Sequence, residues 1–252
     1  MSLLNTADRI YLGNQAASAV YAGATKVWPP WVPTNLSGLK VWLDASQIKL
    51  ADGATVSPWP NLAQPGAPGN IVVDANQPFP PVLRANAKNG KAAVRFTSQQ
   101  GRMRMTSNGV GVNWTLAYVG RMWGASNVGR VVNGIYAPNN ILIGYWNGFE
   151  DVFYDNGFPA SNDPRKPVTT NWKLYSADSI PGLDRIFING VSTCQITTGQ
   201  GFGGTLAISG YDPSSSAETC DCEVAEVCVY DRRLTGPERQ QLEGYLRTKW
   251  GM

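Results

Sequence analysis

The sequence predicts an all-β fold: a two-sheet jelly-roll sandwich with a small N-terminal β-hairpin segment and one amphipathic C-terminal helix. Three observations predict it. Only 15% of the 252 residues are charged, while 27 Gly and 17 Pro punctuate a chain containing 9 Trp, 10 Tyr and 7 Phe. That composition favours short strands joined by tight turns over a helical bundle. Apolar runs bounded by Gly, Asn or Pro recur along the chain. The last thirty residues join a single strand to a single helix.

The N-terminal segment comes first. Arg9-Ile-Tyr-Leu-Gly13 is echoed by Ala19-Val-Tyr-Ala-Gly23, and each copy reads as short strands ending at a turn. An isolated hairpin is marginal in water, so this segment needs a surface to pack on. Pro29-Pro-Trp-Val-Pro33 follows as a stiff extended linker. The division is therefore 1–33, a hairpin docking segment with its linker, and 34–252, the sandwich.

Strands are expected at Leu39–Leu43, Ala92–Phe96, Trp114–Met122, Arg130–Tyr136, Ile141–Tyr145, Asp151–Tyr154, Trp172–Ser179, Asp184–Ile188, Thr205–Ser209 and Glu223–Tyr230. Asn189-Gly190 marks a two-residue hairpin. These strands outnumber the roughly seven of a simple immunoglobulin sandwich and suit a larger jelly roll. Ala51–Pro81, rich in Pro, Gly, Asn and Gln, reads as a long ordered surface loop. At the C-terminus Thr235 N-caps a helix, with Pro237 in its first turn and Glu238 completing a capping box. Leu242, Tyr245, Leu246 and Trp250 form its apolar stripe, and Glu238, Arg239 and Glu243 are expected to face water.

A net charge of +3 is too small to imply nucleic acid, and no Lys/Arg cluster accompanies an aromatic ladder in the sequence. No apolar run reaches the roughly 18–20 residues of a membrane span. The opening Met1-Ser-Leu-Leu-Asn-Thr-Ala-Asp-Arg9 lacks the pattern of a secretory signal, so a protein made in a cytoplasm is expected, which either stays there or leaves by another route, such as lysis. Cys194, Cys220, Cys222 and Cys228 lack zinc spacing, and there is no histidine. Buried free thiols are expected, with Cys220, Cys222 and Cys228 on one face of a regular strand. A bridge from Cys194 to Cys220 or Cys222 is the alternative.

The segments Gly38-Leu-Lys-Val-Trp-Leu-Asp-Ala-Ser46, Trp59-Pro-Asn-Leu62, Gly90-Lys-Ala-Ala-Val-Arg-Phe96 and Ala225-Glu-Val-Cys-Val-Tyr-Asp-Arg-Arg-Leu234, with Tyr245-Leu and Lys249-Trp-Gly, resemble a concanavalin A-like, laminin-G-like domain over residues 34–252. Asp8-Arg-Ile-Tyr-Leu-Gly13 and Val20-Tyr-Ala-Gly-Ala-Thr-Lys-Val-Trp-Pro29 resemble the opening of minor tail proteins of long-tailed bacteriophages, especially those of actinobacterial hosts. The resemblance implies a multicopy structural component of the virion, at the tail or tail tip. Residues 1–33 would dock on other tail proteins or a symmetry mate, and the jelly roll would meet a host-surface glycan. A purely architectural role without ligand is the alternative.

The same sandwich fold hosts glycoside hydrolases. Glucanases of the same sandwich carry Glu-x-Asp-x-x-Glu on one strand, whereas Glu150-Asp-Val-Phe-Tyr-Asp155 has the wrong spacing and no third acid. Without histidine, Ser–His and Cys–His nucleophiles are excluded within the chain. The expectation is that the protein is not an enzyme. Carbohydrate binding calls instead for aromatics on exposed loops beside amides and carboxylates. Tyr145, Trp146, Asn147 and Asp151 are the candidate contact residues, with Trp123, Tyr136, Asn139 and Asn140 near in sequence. Trp42, Trp114, Trp172 and Trp250 read as core. No cofactor is expected. Calcium is the one weak possibility, from Asp155-Asn156 with Asn162-Asp163, or from Asp212 with Asp221. Glu226, embedded in an apolar strand, matches the family's Ala-Glu-Val position, where a structural role is implied. Its expected partner is a backbone turn or a nearby Arg.

Overall fold

The computed structural model describes residues 10–12, 14–17, 19–22, 25–28, 30–63, 71–73, 79–99, 101–105, 110–135, 140–160, 162–197, 205–210 and 218–252. In chain order the strands are β1 (Tyr11–Leu12), β2 (Gln15–Ala16), β3 (Val20–Ala22), β4 (Thr25–Trp28), β5 (Leu39–Asp44), β6 (Ile71–Val73), β7 (Val82–Lys88), β8 (Lys91–Arg95), β9 (Met103–Met105), β10 (Trp114–Met122), β11 (Val132–Ile135), β12 (Ile141–Trp146), β13 (Phe149–Asp155), β14 (Lys166–Pro167), β15 (Lys173–Ile180), β16 (Leu183–Ile188), β17 (Val191–Ile196), β18 (Thr205–Ile208) and β19 (Cys222–Tyr230). The helix α1 spans Gly236–Trp250.

Among the described residues, eight strands form one antiparallel sheet in the order β17-β16-β15-β10-β19-β8-β7, with β5 also paired to β19. Seven form the second, β14-β13-β12-β11-β18-β9-β6. The two inner faces enclose one core that includes Leu116, Tyr118, Ile143, Tyr145, Phe153, Val227 and Val229. The all-β two-sheet sandwich expected from the sequence is therefore the observed architecture. The hairpins β1–β2 and β3–β4 each form a separate two-stranded sheet.

A second core lies on the outer face of the first sheet, where Ala93, Ala117, Val119, Leu174, Ala225 and Cys228 meet Leu242, Leu246 and Trp250 of α1. The helix starts as its local sequence dictates: the Thr235 hydroxyl accepts from the Glu238 N–H, and the Glu238 carboxylate accepts from the Thr235 N–H at 2.8 Å. Gly251 closes it in the left-handed conformation. Arg239 and Glu243 do not face water, being 8% and 2% exposed. The helix lies flat enough on the sheet for Glu243 to accept from the Ser176 hydroxyl at 2.5 Å and for the Arg239 guanidinium to sit 3.5 Å from the Phe187 ring centroid.

One irregularity sets the parity of β19. Val119 pairs with Glu226 but Gly120 pairs with Val224, so Ala225 and Glu226 form a bulge. Cys220 and Cys222 consequently join the inter-sheet core while Cys228 joins the helix-side core. The expected single face of cysteines is thus corrected by one inserted residue. All four cysteines are buried and free.

The long loop at 51–81 also differs from expectation. Val56 and Trp59 are fully buried in the sandwich core, and Ile71–Val73 is a strand. Residues 31–36 lie against the helix side: Trp31 packs 5.3 Å from Tyr245 between ring centroids, and the Tyr230 hydroxyl donates to the Pro33 carbonyl at 2.9 Å. Among the described residues no helix is long and apolar enough to cross a membrane.

Candidate functional site

The β12–β13 hairpin carries the candidate contact residues. Its turn is Asn147-Gly148, with φ of 52° and 80°, the left-handed pair that a tight hairpin requires and that Asn and Gly tolerate best. The turn is pinned where the Asn147 and Gly148 N–H groups donate to the Val128 and Asn127 carbonyls at 3.1 and 3.0 Å. Asn147 is exposed and Trp146 half-buried. Alternation along β12 turns Trp146 to the outer face of the second sheet, because Ile143 and Tyr145 belong to the inner core.

On that outer face Trp146 meets Phe158, with ring centroids 5.6 Å apart and 36° between planes. Tyr154 packs edge-on against the same Phe158 at 4.9 Å. The Arg165 guanidinium lies 4.4 Å from the Phe158 centroid and is itself held by Asp163 at 2.7 Å. All three aromatics are half-buried, so each keeps part of its surface in solvent. Phe158, Tyr154 and Arg165 were not singled out by sequence. The available signal was an aromatic directly after the Asn156-Gly157 turn.

Tyr145 and Asp151 lie elsewhere. Tyr145 is fully buried, so it offers no face to a sugar. It stands in a group of three phenols that cross the core. Tyr118 donates to the Ile143 carbonyl at 2.7 Å, Tyr145 to the Gly120 carbonyl at 3.4 Å, and Tyr175 to Asp151 Oδ1 at 2.7 Å. Each hydroxyl thus reaches the opposite sheet. Burial pushes all three phenols well above their ordinary range, keeping them neutral donors. Gly144, at φ 104°, makes room for them, since a Cβ there would collide with the Tyr118 hydroxyl.

Asp151 is the bulged residue of β13, since Gly144 pairs with Val152 but Tyr145 with Glu150. Its backbone is left-handed, at φ 63°, and its side chain is 2% exposed. Lys173 and Lys166 lie 2.7 and 2.8 Å from its oxygens. Burial alone would raise its carboxyl, but these ammonium groups and Tyr175 outweigh burial and hold it below the usual carboxylate range. The adjacent Glu150, 1% exposed, takes Lys173 at 2.6 Å and accepts from both the N–H and the hydroxyl of Thr169. This buried acid pair is fully engaged with the protein and bridges the two sheets beneath the aromatic patch.

The remaining candidates are dispersed. Trp123 donates its indole N–H to the Phe96 carbonyl at 3.0 Å. Asn140 accepts from Arg130. Tyr136, Asn139 and Asp212 lie outside the described residues. Asp155 is buried and Asn156 exposed, while Asp221 accepts backbone N–H groups of Ser98 and Ser126 at 2.8 and 3.1 Å. Among the described residues no three His, Cys, Asp or Glu side chains converge as a metal site would require.

Glu226 sits between β19 and α1. It accepts from the indole N–H groups of Trp42 and Trp250 at 2.7 and 2.8 Å and from the Tyr245 hydroxyl at 3.0 Å. Lys249 stands 2.7 Å away. Its partners are therefore a lysine and three aromatic donors, not the backbone turn or arginine expected. The bulge explains the change by aiming Glu226 at the helix.

No protein-family profile matches this chain, and no curated protein matches it. Solved structures do. Domain 4 of an extracellular GH43 arabinanase from Geobacillus stearothermophilus, solved with arabinotriose, aligns with a TM-score of 0.54 at 12% identity, covering 81% of this chain and 98% of that one. The binding domain of Paraclostridial Mosquitocidal Protein 1 aligns at 0.53 and 12% identity, covering 82% and 52%. The binding domain of Botulinum Neurotoxin DC, in complex with SialylT, aligns at 0.51 and 12% identity, covering 83% and 52%. This chain thus spans about half the length of the two toxin domains. At these identities the likeness is one of fold.

The arabinanase match corrects the expectation that the chain is not an enzyme. That expectation rested on the absence of one acid spacing along one strand. The fold proves to be shared with part of a carbohydrate-degrading enzyme, and a sandwich can bring acids together from separate strands, which linear spacing does not register.

Proposed function

We propose that this chain is a lectin-like component of a virion that contacts a glycan through the Trp146–Phe158–Tyr154 patch. The observation that carries the reading is the patch itself. Three half-buried aromatics share one outer face, braced by Arg165 and bordered by the exposed amide of Asn147. Sugar rings place apolar C–H faces on such surfaces, and an adjacent amide serves their hydroxyls. The toxin binding domains on the same fold lend support. The finer assignment to a phage tail rests on the pattern of residues 8–29 alone. In that assignment the β1–β2 and β3–β4 hairpins dock by pairing their edges with neighbouring tail proteins, and multicopy display compensates for weak single sites.

A glycan array probed with the full chain, displayed multivalently, tests the contact surface. Binding to a defined set of neutral or acidic glycans is expected, and Trp146→Ala or Phe158→Ala should weaken it by about tenfold, the equivalent of roughly 1.4 kcal/mol. An array silent even for the multivalent chain would sink the reading and leave the architectural role.

A further inference from the structure

Arg95 of β8, Glu223 of β19 and Arg121 of β10 face one another across three adjacent strands. They lie on the outer face of the first sheet, since Val94, Cys222 and Met122 beside them belong to the inner core. Glu223 is fully buried, and each of its oxygens takes one arginine. Oε1 accepts from Arg95 Nε at 2.7 Å, and Oε2 from Arg121 Nε at 2.8 Å. The Nη2 groups stand at 2.5 and 2.8 Å from the same two oxygens. Each guanidinium is then backed by an indole: Arg95 lies 4.2 Å from the Trp123 centroid and Arg121 5.0 Å from that of Trp172. The result is a row reading Trp172, Arg121, Glu223, Arg95, Trp123, in which the arginines are two strand spacings, roughly 10 Å, apart.

One arginine would neutralise Glu223. The second gives the Arg95–Glu223–Arg121 group a net charge of +1, on a surface where both arginines are 26% exposed and the acid 0%. The carboxylate consumes the Nε and Nη2 edges, turning the Nη1 edges away from it. Arg121 Nη1 has only a long 3.5 Å contact to the Thr170 carbonyl, and Arg95 Nη1 has no protein acceptor among the described residues. Stacking and the shared acid fix both guanidinium planes in advance, so little ordering is left for a ligand to impose. Half-buried indoles flank the charge at either end.

We propose that this row is a second binding site, for an acidic oligosaccharide of which one carboxylate meets the Arg95 Nη1 edge and another that of Arg121, with its rings packed against the indoles. It lies on the opposite sheet from the Trp146 patch and stands on different residues. Its success or failure is independent of the Trp146 contact.

Calorimetry on the full chain tests it with three probes: an oligomer of galacturonic acid, the same oligomer as its methyl ester, and single-stranded oligothymidylate. The acid oligomer should bind at least about tenfold more tightly than the ester, and Arg95→Gln or Trp172→Ala should cost about that factor. A Trp146→Ala chain should still bind the acid oligomer, which separates the two sites. Because Arg95→Gln unpairs part of Glu223, the indole N–H resonances of the native chain give a readout free of folding effects. Those of Trp123 and Trp172 should shift on adding the acid oligomer. Equal binding of acid and ester, tighter binding of the oligonucleotide, no loss in Trp172→Ala, or unmoved Trp123 and Trp172 resonances would overturn the proposal.

Discussion

Glu226 shows what single residues do here. A carboxylate buried in an apolar strand is costly unless its oxygens are met, and four donors meet them: two indoles, a phenol and the Lys249 ammonium. Burial nevertheless pushes its carboxyl above the ordinary range, although Lys249 opposes the shift. Glu226→Gln keeps the shape but turns an NH2 group against at least one donor. Loss of about 3 kcal/mol or more is expected in a denaturant titration, and an unchanged midpoint would show that the network is dispensable. The need for a partner at Glu226 was legible in its apolar neighbours Val224, Ala225 and Val227. The identity of the partners was not, because the bulge that aims the side chain is a product of pairing between β10 and β19.

At the scale of elements, α1 was legible almost residue by residue, since capping is a local interaction between Thr235 and Glu238. Glu238 also receives both Nη groups of Arg232, at 2.9 and 2.7 Å. This guanidinium, with the Thr235 N–H, draws its carboxyl down to about 2 from an ordinary 4.5. A folded value below the unfolded one stabilises the protein above pH 4.5, and that contribution is lost as pH falls towards 2. Glu226, shifted upward, has the opposite sign and contributes nothing to this acid-side loss. Glu238→Gln should therefore flatten the stability-versus-pH curve in the acid range, and Thr235→Ala should cost about 1 kcal/mol at neutral pH. Thermal melts taken from neutral to acid pH check both; an unaltered acid slope in Glu238→Gln would contradict the assignment.

The strands divide instructively. Those expected from the sequence sit mostly inside the sheets, such as β19, where every residue is buried, and β10, where every residue but Arg121 is. Among those it missed, β6, β7, β14 and β17 are the strands that end the two strand orders. An edge strand buries only part of its length, and β14 exposes both its residues and β17 half of its six, so the apolar alternation that reveals a strand fades there. The candidate site has the same limitation. Trp146 and the Asn147-Gly148 turn are neighbours in the chain and readable as such. Phe158 and Arg165 reach Trp146 only through the folding of β13 and the segment after it.

For the whole molecule, two small hairpins stand as sheets of their own beside the two large ones among the described residues. In β1–β2 and β3–β4 each two-stranded sheet leaves outer edges without a further strand among the described residues. Such hairpins are marginal alone, and the docking role proposed above for residues 1–33 is tested by removing them. A chain lacking them should keep the sandwich fold yet fail to enter assembled particles, measured by recovery from purified virions of a phage supplied with the truncated copy. Normal incorporation would remove the docking role.

By itself the sequence determined the all-β class, the central strands, the Asn-Gly turns and the capped helix, because each depends on residues close together in the chain. Only the tertiary structure decided which face each side chain occupies. One bulged residue in β19 turned Cys228 and Glu226 to the helix, and another in β13 drew Asp151 into the core beneath the patch that it was expected to join. Tertiary packing also set Arg95 and Arg121 against Trp123 and Trp172, a cation–aromatic row absent from any linear stretch. Strand pairing brings distant residues within a few ångströms, and a pattern read along one strand carries no information about its neighbour.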